Sequence, residues 1–178
     1  KQRPTIVHVF GGGFKEGSRA ETWLRPWFRE MNAKGYRMIT IDYRLGLKGV
    51  RGVTQSEFAR LLDNAINIAV EDLFSATDFL LKNGVSIGID PNNIVVTGSS
   101  AGAITVQQAE WEICNRTPMA ACLPEGFNYK GVMAFAGAVL VDGPLGYKSA
   151  PCPVMMFHGT EDELVPYDVI RSGKVSFC

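Results

Sequence analysis

Ser100 stands between two glycines in the run Ile94-Val95-Val96-Thr97-Gly98-Ser99-Ser100-Ala101-Gly102. A serine hydroxyl serves as a nucleophile when it is held at the tip of a sharp strand-to-helix turn. The residues two before and two after it must then be small, so that the turn can close. Gly98 and Gly102 meet that need for Ser100, whereas Ser99 occupies the variable position of the GxSxG pattern. Such a pattern arises by chance in glycine-rich chains, so its surroundings carry the weight. The β-favouring residues Ile94 to Thr97 lead into Gly98, and Ala101 to Ile113 reads as a buried helix through Ala101, Ile104, Val106, Ala109 and Ile113.

Two other segments offer partners for such a serine. Pro4 to Phe10 reads as a strand that runs into Gly11-Gly12-Gly13-Phe14. Glycine lets the chain bend so that backbone N–H groups converge on one point, and such amides stabilise the oxyanion formed when an acyl carbonyl is attacked. In elbow geometry the other donor is the N–H of the residue after the nucleophile, here Ala101. Taken alone, three glycines also read as a plain flexible loop. Late in the chain, Pro153 to Phe157 is a short apolar strand followed by His158-Gly159-Thr160-Glu161-Asp162-Glu163-Leu164-Val165-Pro166. Adjacent acids are usually a solvated loop. A Ser-His-acid triad nonetheless needs a carboxylate to orient its histidine and stabilise the imidazolium.

These three segments, in this order, resemble the α/β-hydrolase fold, and specifically its carboxylesterase and lipase-like branch. FGGGF resembles the HGGG oxyanion motif, GSSAG the nucleophile elbow, and HGTEDELVP the HGxxDxxVP segment that carries the acid. Ile41-Asp42-Tyr43-Arg44 and Ile89-Asp90-Pro91-Asn92-Asn93 are similar to the strand end with YR and to the turn before the elbow strand in these esterases. The resemblance runs from Pro4 to Pro166. It implies that Ser100 is the nucleophile, Asp162 the acid, and Gly12, Gly13 and Ala101 the oxyanion-hole amides. It also implies a small ester substrate, acetyl or feruloyl groups on plant polysaccharides among the options, with no cofactor and no metal. Two alternatives stay open: a serine peptidase of the same fold, and a catalytically inactive hydrolase-like protein that binds a ligand or partner in the old cleft.

The departures concern histidine. Phe10 fills the first position of HGGG, leaving His8 two residues upstream on an apolar strand, the usual place of a satisfied core histidine. His158 matches the strand-end histidine that precedes the acid in the family and is not normally the base. The family places its base well after the acid, in the order Ser, Asp, His. The expectation is therefore a catalytic histidine outside this chain, which reads as truncated at both ends and inactive by itself; an inactive relative, or recruitment of His158 or His8, are the rivals.

The elements that must hold these loops alternate between strand and helix, which predicts an α/β fold with a mainly parallel sheet and helices on both faces. Glu21 to Ala33 reads as a helix and Tyr36 to Tyr43 as a strand. Gln55 to Asn83 has apolar residues at three- and four-residue steps from Phe58 to Leu80, with Gly84 at its end. Gly131 to Val141 reads as a buried strand. Leu45 to Thr54 and Cys114 to Tyr129 interrupt the regularity. The second, residues 114–129, is a candidate lid or rim, or else a plain surface connection.

At 178 residues and 46% hydrophobic, the chain fits one α/β domain or most of one. Lys plus Arg and Asp plus Glu both total 18, so no basic stripe invites nucleic acid. No stretch approaches the roughly 20 apolar residues of a membrane span. Lys1 to Pro4 lacks the features of a signal peptide. Cys114, Cys122, Cys152 and Cys178 show no CxxC spacing and no metal pattern; Cys114 and Cys122 could bridge, or be ordinary buried thiols. Secretion or the periplasm is preferred to the cytoplasm, and the oligomeric state is left open.

Overall fold

The computed structural model describes residues 2–172 and 175–177; Cys178 lies outside them. An inner strand of its sheet is β1 (Arg3–Val9), in which Val7 and Val9 are fully buried on one side. Successive strand residues face opposite ways, so His8 points to the other side. There it meets the rings of Trp27 and Phe28, at 5.8 and 5.9 Å between centroids, on α1 (Arg25–Ala33). Val7 and Val9 join the apolar core shared with α2 (Gln55–Asn83) and α3 (Ala101–Asn115). Helices thus cover both faces, as the alternation of elements predicts.

β1 pairs in parallel with β2 (Arg37–Ile41) on one side and β3 (Ile89–Ser99) on the other. β4 (Gly131–Phe135) follows β3. β5 (Leu140–Asp142) leaves this sheet, and β6 (Val154–Phe157) takes the position beside β4, giving the order β2-β1-β3-β4-β6. β5 joins β7 (Ile170–Ser172) and β8 (Val175–Phe177) in a small antiparallel annex. Register aligns the strand ends: Val9 lies beside Gly98, Gly98 beside Ala134, and Ala134 beside Met156. The glycine loop, the elbow and the acid loop therefore leave the sheet along one edge.

Local sequence explains the longest helix. Thr54 accepts from the Glu57 N–H at 3.3 Å while the Glu57 carboxylate accepts from the Thr54 N–H at 2.8 Å, a capping box that satisfies two otherwise orphaned donors. The eight buried residues of α2, from Ala65 to Leu80, form the stripe that the periodicity predicts.

α3 buries polar residues on a scale that periodicity does not explain, including Gln107, Gln108, Glu110 and Asn115. The cause is the crossover between β4 and β6, which descends beside α3 mostly as extended backbone with only the short β5. Its peptide groups need partners, and α3 supplies them. Gln108 Oε1 accepts from the Leu140 N–H at 2.9 Å, and Glu110 Oε1 from the Cys152 N–H at 2.7 Å. Trp111 Nε1 donates to the Gly146 carbonyl at 2.9 Å, and Asn115 Oδ1 accepts from the Lys148 N–H at 3.2 Å. A buried amide left without such a partner would cost about 1–3 kcal/mol.

Three expected elements shift. Residues 131–141 are not one strand: the chain leaves the sheet at Ala136, whose φ is 54°, and Gly137 packs so tightly that a Cβ there would lie 2.0 Å from Gln107 Oε1. β2 stops at Ile41 because Tyr43 turns inward to the glycine loop. Residues 22–24 form a separate 3-10 turn before α1. Cys114 and Cys122 are free thiols, Cys114 donating to Glu110 and Cys122 to the Met119 carbonyl. No helix among the described residues is long and apolar enough to cross a membrane.

Candidate active site

Ser100 joins β3 to α3 with φ 52° and ψ −123°, a conformation that side chains other than glycine's rarely adopt. The two flanking glycines make it possible. A Cβ on Gly98 would lie 2.3 Å from the Gly102 carbonyl carbon, and one on Gly102 would lie 2.1 Å from the Val9 carbonyl oxygen. Hydrogen bonds then over-determine the bend: the Ser100 N–H donates to Phe135 at 2.8 Å, and its carbonyl accepts from the Ile104 N–H at 2.9 Å. Strain of about 1–3 kcal/mol persists only where the surroundings enforce it.

The glycine loop runs against this elbow. A Cβ on Gly11 would come within 2.9 Å of the Ser99 carbonyl oxygen and 3.4 Å of Ser100 Cβ. Gly12 and Gly13 take φ of 107° and 61°, and Phe14, buried, takes 59°. The Gly12 carbonyl accepts from the Lys15 and Glu16 N–H groups at 3.0 and 3.2 Å, and the Phe14 carbonyl from the Leu47 N–H at 2.9 Å. Among the described residues nothing accepts from the Gly12 or Gly13 N–H. Ala101 opens α3, and the first N–H groups of a helix have no partner within it. Three donors and one hydroxyl are thus assembled at neighbouring strand tips.

Asp162 sits beyond β6, two strand spacings from the elbow strand and so about 10 Å across the sheet edge. Its Oδ1 accepts from the Val165 and Leu164 N–H groups, both at 2.9 Å. Those bonds, Val165 first, hold the carboxyl below the usual Asp range, with a smaller contribution from His158. His158 Nε2 lies 3.7 Å from Asp162 Oδ2 and 2.6 Å from the Val165 carbonyl oxygen. Glu161 and Glu163 are exposed. Gly11 therefore meets the Ser99–Ser100 turn directly, with Gly12 and Gly13 following it in the loop and Ala101 following Ser100, while Asp162 and His158 form a neighbouring cluster.

His8 is elsewhere. It lies under α1 between Thr40 and Thr97 on the adjacent strands, its Nδ1 without a partner among the described residues, and burial lowers its pKa to about 4. Neither histidine is hydrogen-bonded to Ser100 among the described residues. Residues 114–129 begin at the far end of α3, roughly 20 Å from Ser100 at 1.5 Å per residue, and lead into the start of β4. That places their start at the other end of the sheet from the serine.

One residue with a role here is not legible from residue types: Tyr43. Its hydroxyl donates to the Phe10 carbonyl at 3.0 Å and approaches the Gly11 carbonyl at 3.4 Å, and its ring stacks on Phe10 at 4.4 Å. The strand-end YR is visible in sequence. The contact that gives it a role is not.

A BD-FAE family model matches residues 1–109. Gut esterase 1 of Caenorhabditis briggsae is 32% identical over 108 residues, covering 61% of this chain and 18% of its own. Secreted lipase 1 of Botryotinia fuckeliana is 28% identical over 144 residues, covering 80% and 23%. The chain thus spans less than a quarter of either relative. Esterase 2 of Thermogutta terrifontis with butyrate bound superposes with a TM-score of 0.65 at 24% identity, over 93% of this chain and 64% of that one. The same esterase phosphonylated by sarin gives 0.64 at 20%, over 93% and 65%. At those identities the likeness speaks for the fold alone.

Proposed function

The chain belongs to the BD-FAE family, and from that premise we propose that the protein is a serine esterase that hydrolyses small carboxylic esters through Ser100. One observation carries this reading: the strained Ser100 turn is packed against a glycine loop whose amides have no other acceptor among the described residues. Ser100 Oγ attacks the acyl carbon and passes its proton to a histidine. The carbonyl oxygen takes the negative charge, held by the N–H groups of Gly12, Gly13 and Ala101. Collapse expels the alcohol, which recovers the proton, and leaves an acyl-enzyme; water, deprotonated by the same histidine, then releases the acid.

We assign that histidine to a segment outside these 178 residues and its orientation to Asp162. His8 is buried beneath α1, and His158 is engaged with Val165. The chain spans only 64% of the matched esterase structure. The relative named a secreted lipase favours a place outside the cytoplasm.

The test uses the full-length protein from its natural reading frame, on p-nitrophenyl acetate and butyrate and with a fluorophosphonate probe. Turnover and labelling that both vanish in Ser100→Ala are expected. Turnover retained in Ser100→Ala removes Ser100 from its role. An unlabelled, inactive full-length protein favours the hydrolase-like binding protein, and cleavage of peptide amides in preference to esters favours the peptidase.

A further inference from the structure

We propose that Tyr43 is a positioning residue that aims the oxyanion-hole amide of Gly12 at Ser100; this rests on the esterase reading above. In a trans peptide the carbonyl of one residue and the N–H of the next point in opposite directions. Whatever grips the carbonyl therefore orients the amide. Tyr43 Oη, buried, donates to the Phe10 carbonyl at 3.0 Å and lies 3.4 Å from the Gly11 carbonyl. Its single proton goes mainly to the Phe10 carbonyl with the Gly11 carbonyl at the edge of its reach, so both carbonyls lie on the Tyr43 side. The N–H groups of Gly11 and Gly12 then face the other way, and Gly11 is packed against the Ser100 elbow.

The next peptide plane is fixed without help. The Gly12 carbonyl is held by the Lys15 and Glu16 N–H groups of the loop's own turn, which turns the Gly13 N–H outward. The Gly11–Gly12 peptide has no such partner within the loop's own turn, and the glycines on either side of it bring no side chain to restrain it. Glycine lends the loop the freedom to form the hole and also the freedom to lose it. Tyr43 removes that freedom from outside.

Tyr43 is itself immobilised. Its ring stacks on Phe10 with an interplanar angle of 24° and meets Phe14 edge-on at 6.1 Å. The following residue is clamped to α2: the Arg44 N–H donates to Asp72 at 2.7 Å and its guanidinium to Asp72 and Glu71 at 3.0 and 2.8 Å. The end of β2 is thereby tied to α2 on one side and to the glycine loop on the other.

The experiment compares full-length wild type with Tyr43→Phe, which keeps the ring and loses the hydroxyl. Sites are counted by organophosphonate titration, so that misfolded molecules do not enter kcat. The expected result is a kcat per titrated site lowered about 10- to 100-fold with KM within twofold, since removal of one oxyanion donor costs about 10²–10³ in kcat. Inhibition by a boronic acid, which forms a tetrahedral adduct on the serine, weakens by the same factor. Tyr43→p-aminophenylalanine, which restores a donor, recovers kcat to within threefold. Paired with Tyr43→p-methylphenylalanine, it repeats the comparison should Tyr43→Phe not fold. A merely structural Tyr43 would lower the melting temperature and the titrated fraction while leaving kcat per site within threefold; that result overturns the proposal. Loss of the esterase reading is seen separately, as full-length wild type with no activity.

Discussion

Gly102 lies directly beneath the end of β1, where a Cβ would come within 2.1 Å of the Val9 carbonyl oxygen and 2.6 Å of that of Phe10. The nucleophile helix and the strand that launches the glycine loop are therefore in backbone contact. Overpacking a rigid site costs about 1–3 kcal/mol, and more where the obstacle is backbone. Gly102→Ala should lower stability by about 3 kcal/mol or more, read from the urea midpoint. In the full-length protein it should also lower the proposed esterase activity, because α3 can relieve the clash only by moving Ser100.

Ser100 stores strain, so its removal should stabilise the protein. Ser100→Gly relieves a non-glycine residue at φ 52° and is expected to gain about 1 kcal/mol while abolishing esterase turnover. Ser100→Ala keeps the Cβ and should not show that gain. Thermal melts of the two variants beside wild type test the difference; equal stability in both would show the turn to be unstrained.

His8 predicts acid lability. Its pKa is about 4 in the fold against 6.5 when exposed, so between those values the unfolded chain binds a proton that the folded chain refuses. The group's contribution is complete above pH 6.5 and is lost as pH falls towards 4. At 1.36 kcal/mol per pH unit the whole is worth roughly 3 kcal/mol. Urea denaturation at pH 7 and pH 4.5 should show this loss in wild type and a smaller one in His8→Asn. An unchanged slope in His8→Asn would place the titration elsewhere.

Asp162 serves its own loop as well as the proposed triad. Its carboxylate ties down the Leu164 and Val165 N–H groups, and its depressed pKa means that this order is lost as pH falls below the usual Asp range. Asp162→Ala should speed amide exchange at residues 164 and 165 and lower kcat at least 100-fold. Asp162→Asn keeps an acceptor oxygen and should retain much of the loop order without the activity, since loss of the triad carboxylate is known to cost about 10⁴ in kcat where the geometry survives.

The thiols should separate sharply. Burial first, and then the charge and hydrogen bond of Glu110, push Cys114 up to about 11 and Cys152 up to about 12. Cys122 is exposed. Iodoacetamide at pH 8 followed by peptide mapping should therefore modify Cys122 in the native protein, and Cys114 and Cys152 only after unfolding.

Much of this architecture was legible in local patterns. The apolar stripe of α2 is written in three- and four-residue steps, and the helix runs over the expected Gln55–Asn83; its Thr54–Glu57 capping box comes from the structure. The elbow was legible because only small residues close it, so Gly98 and Gly102 mark the turn before any coordinates do. The break at Ala136 was not: Gly131 to Val141 is apolar throughout, and what ends the strand is the packing of Gly137 against Gln107. Residues 114–129 follow the nucleophile helix in sequence, which left a rim and a plain connection equally open. The helix carries them the length of the sheet.

The chain by itself determined which residues are chemically able: a serine between glycines, a glycine turn, a carboxylate in an acidic loop, two histidines. These follow from side-chain type and from what the backbone can do locally. Tertiary structure alone decided which of them meet. Parallel register along β1, β3, β4 and β6 puts Ser100 against Gly11 and sets Asp162 two strands away. It buries His8 on the opposite face, draws Tyr43 into the loop, and turns the polar side of α3 into partners for a crossover that has few of its own. Each of these is a contact between segments distant in sequence, and the spacing of residues along one segment holds no record of what another will place beside it.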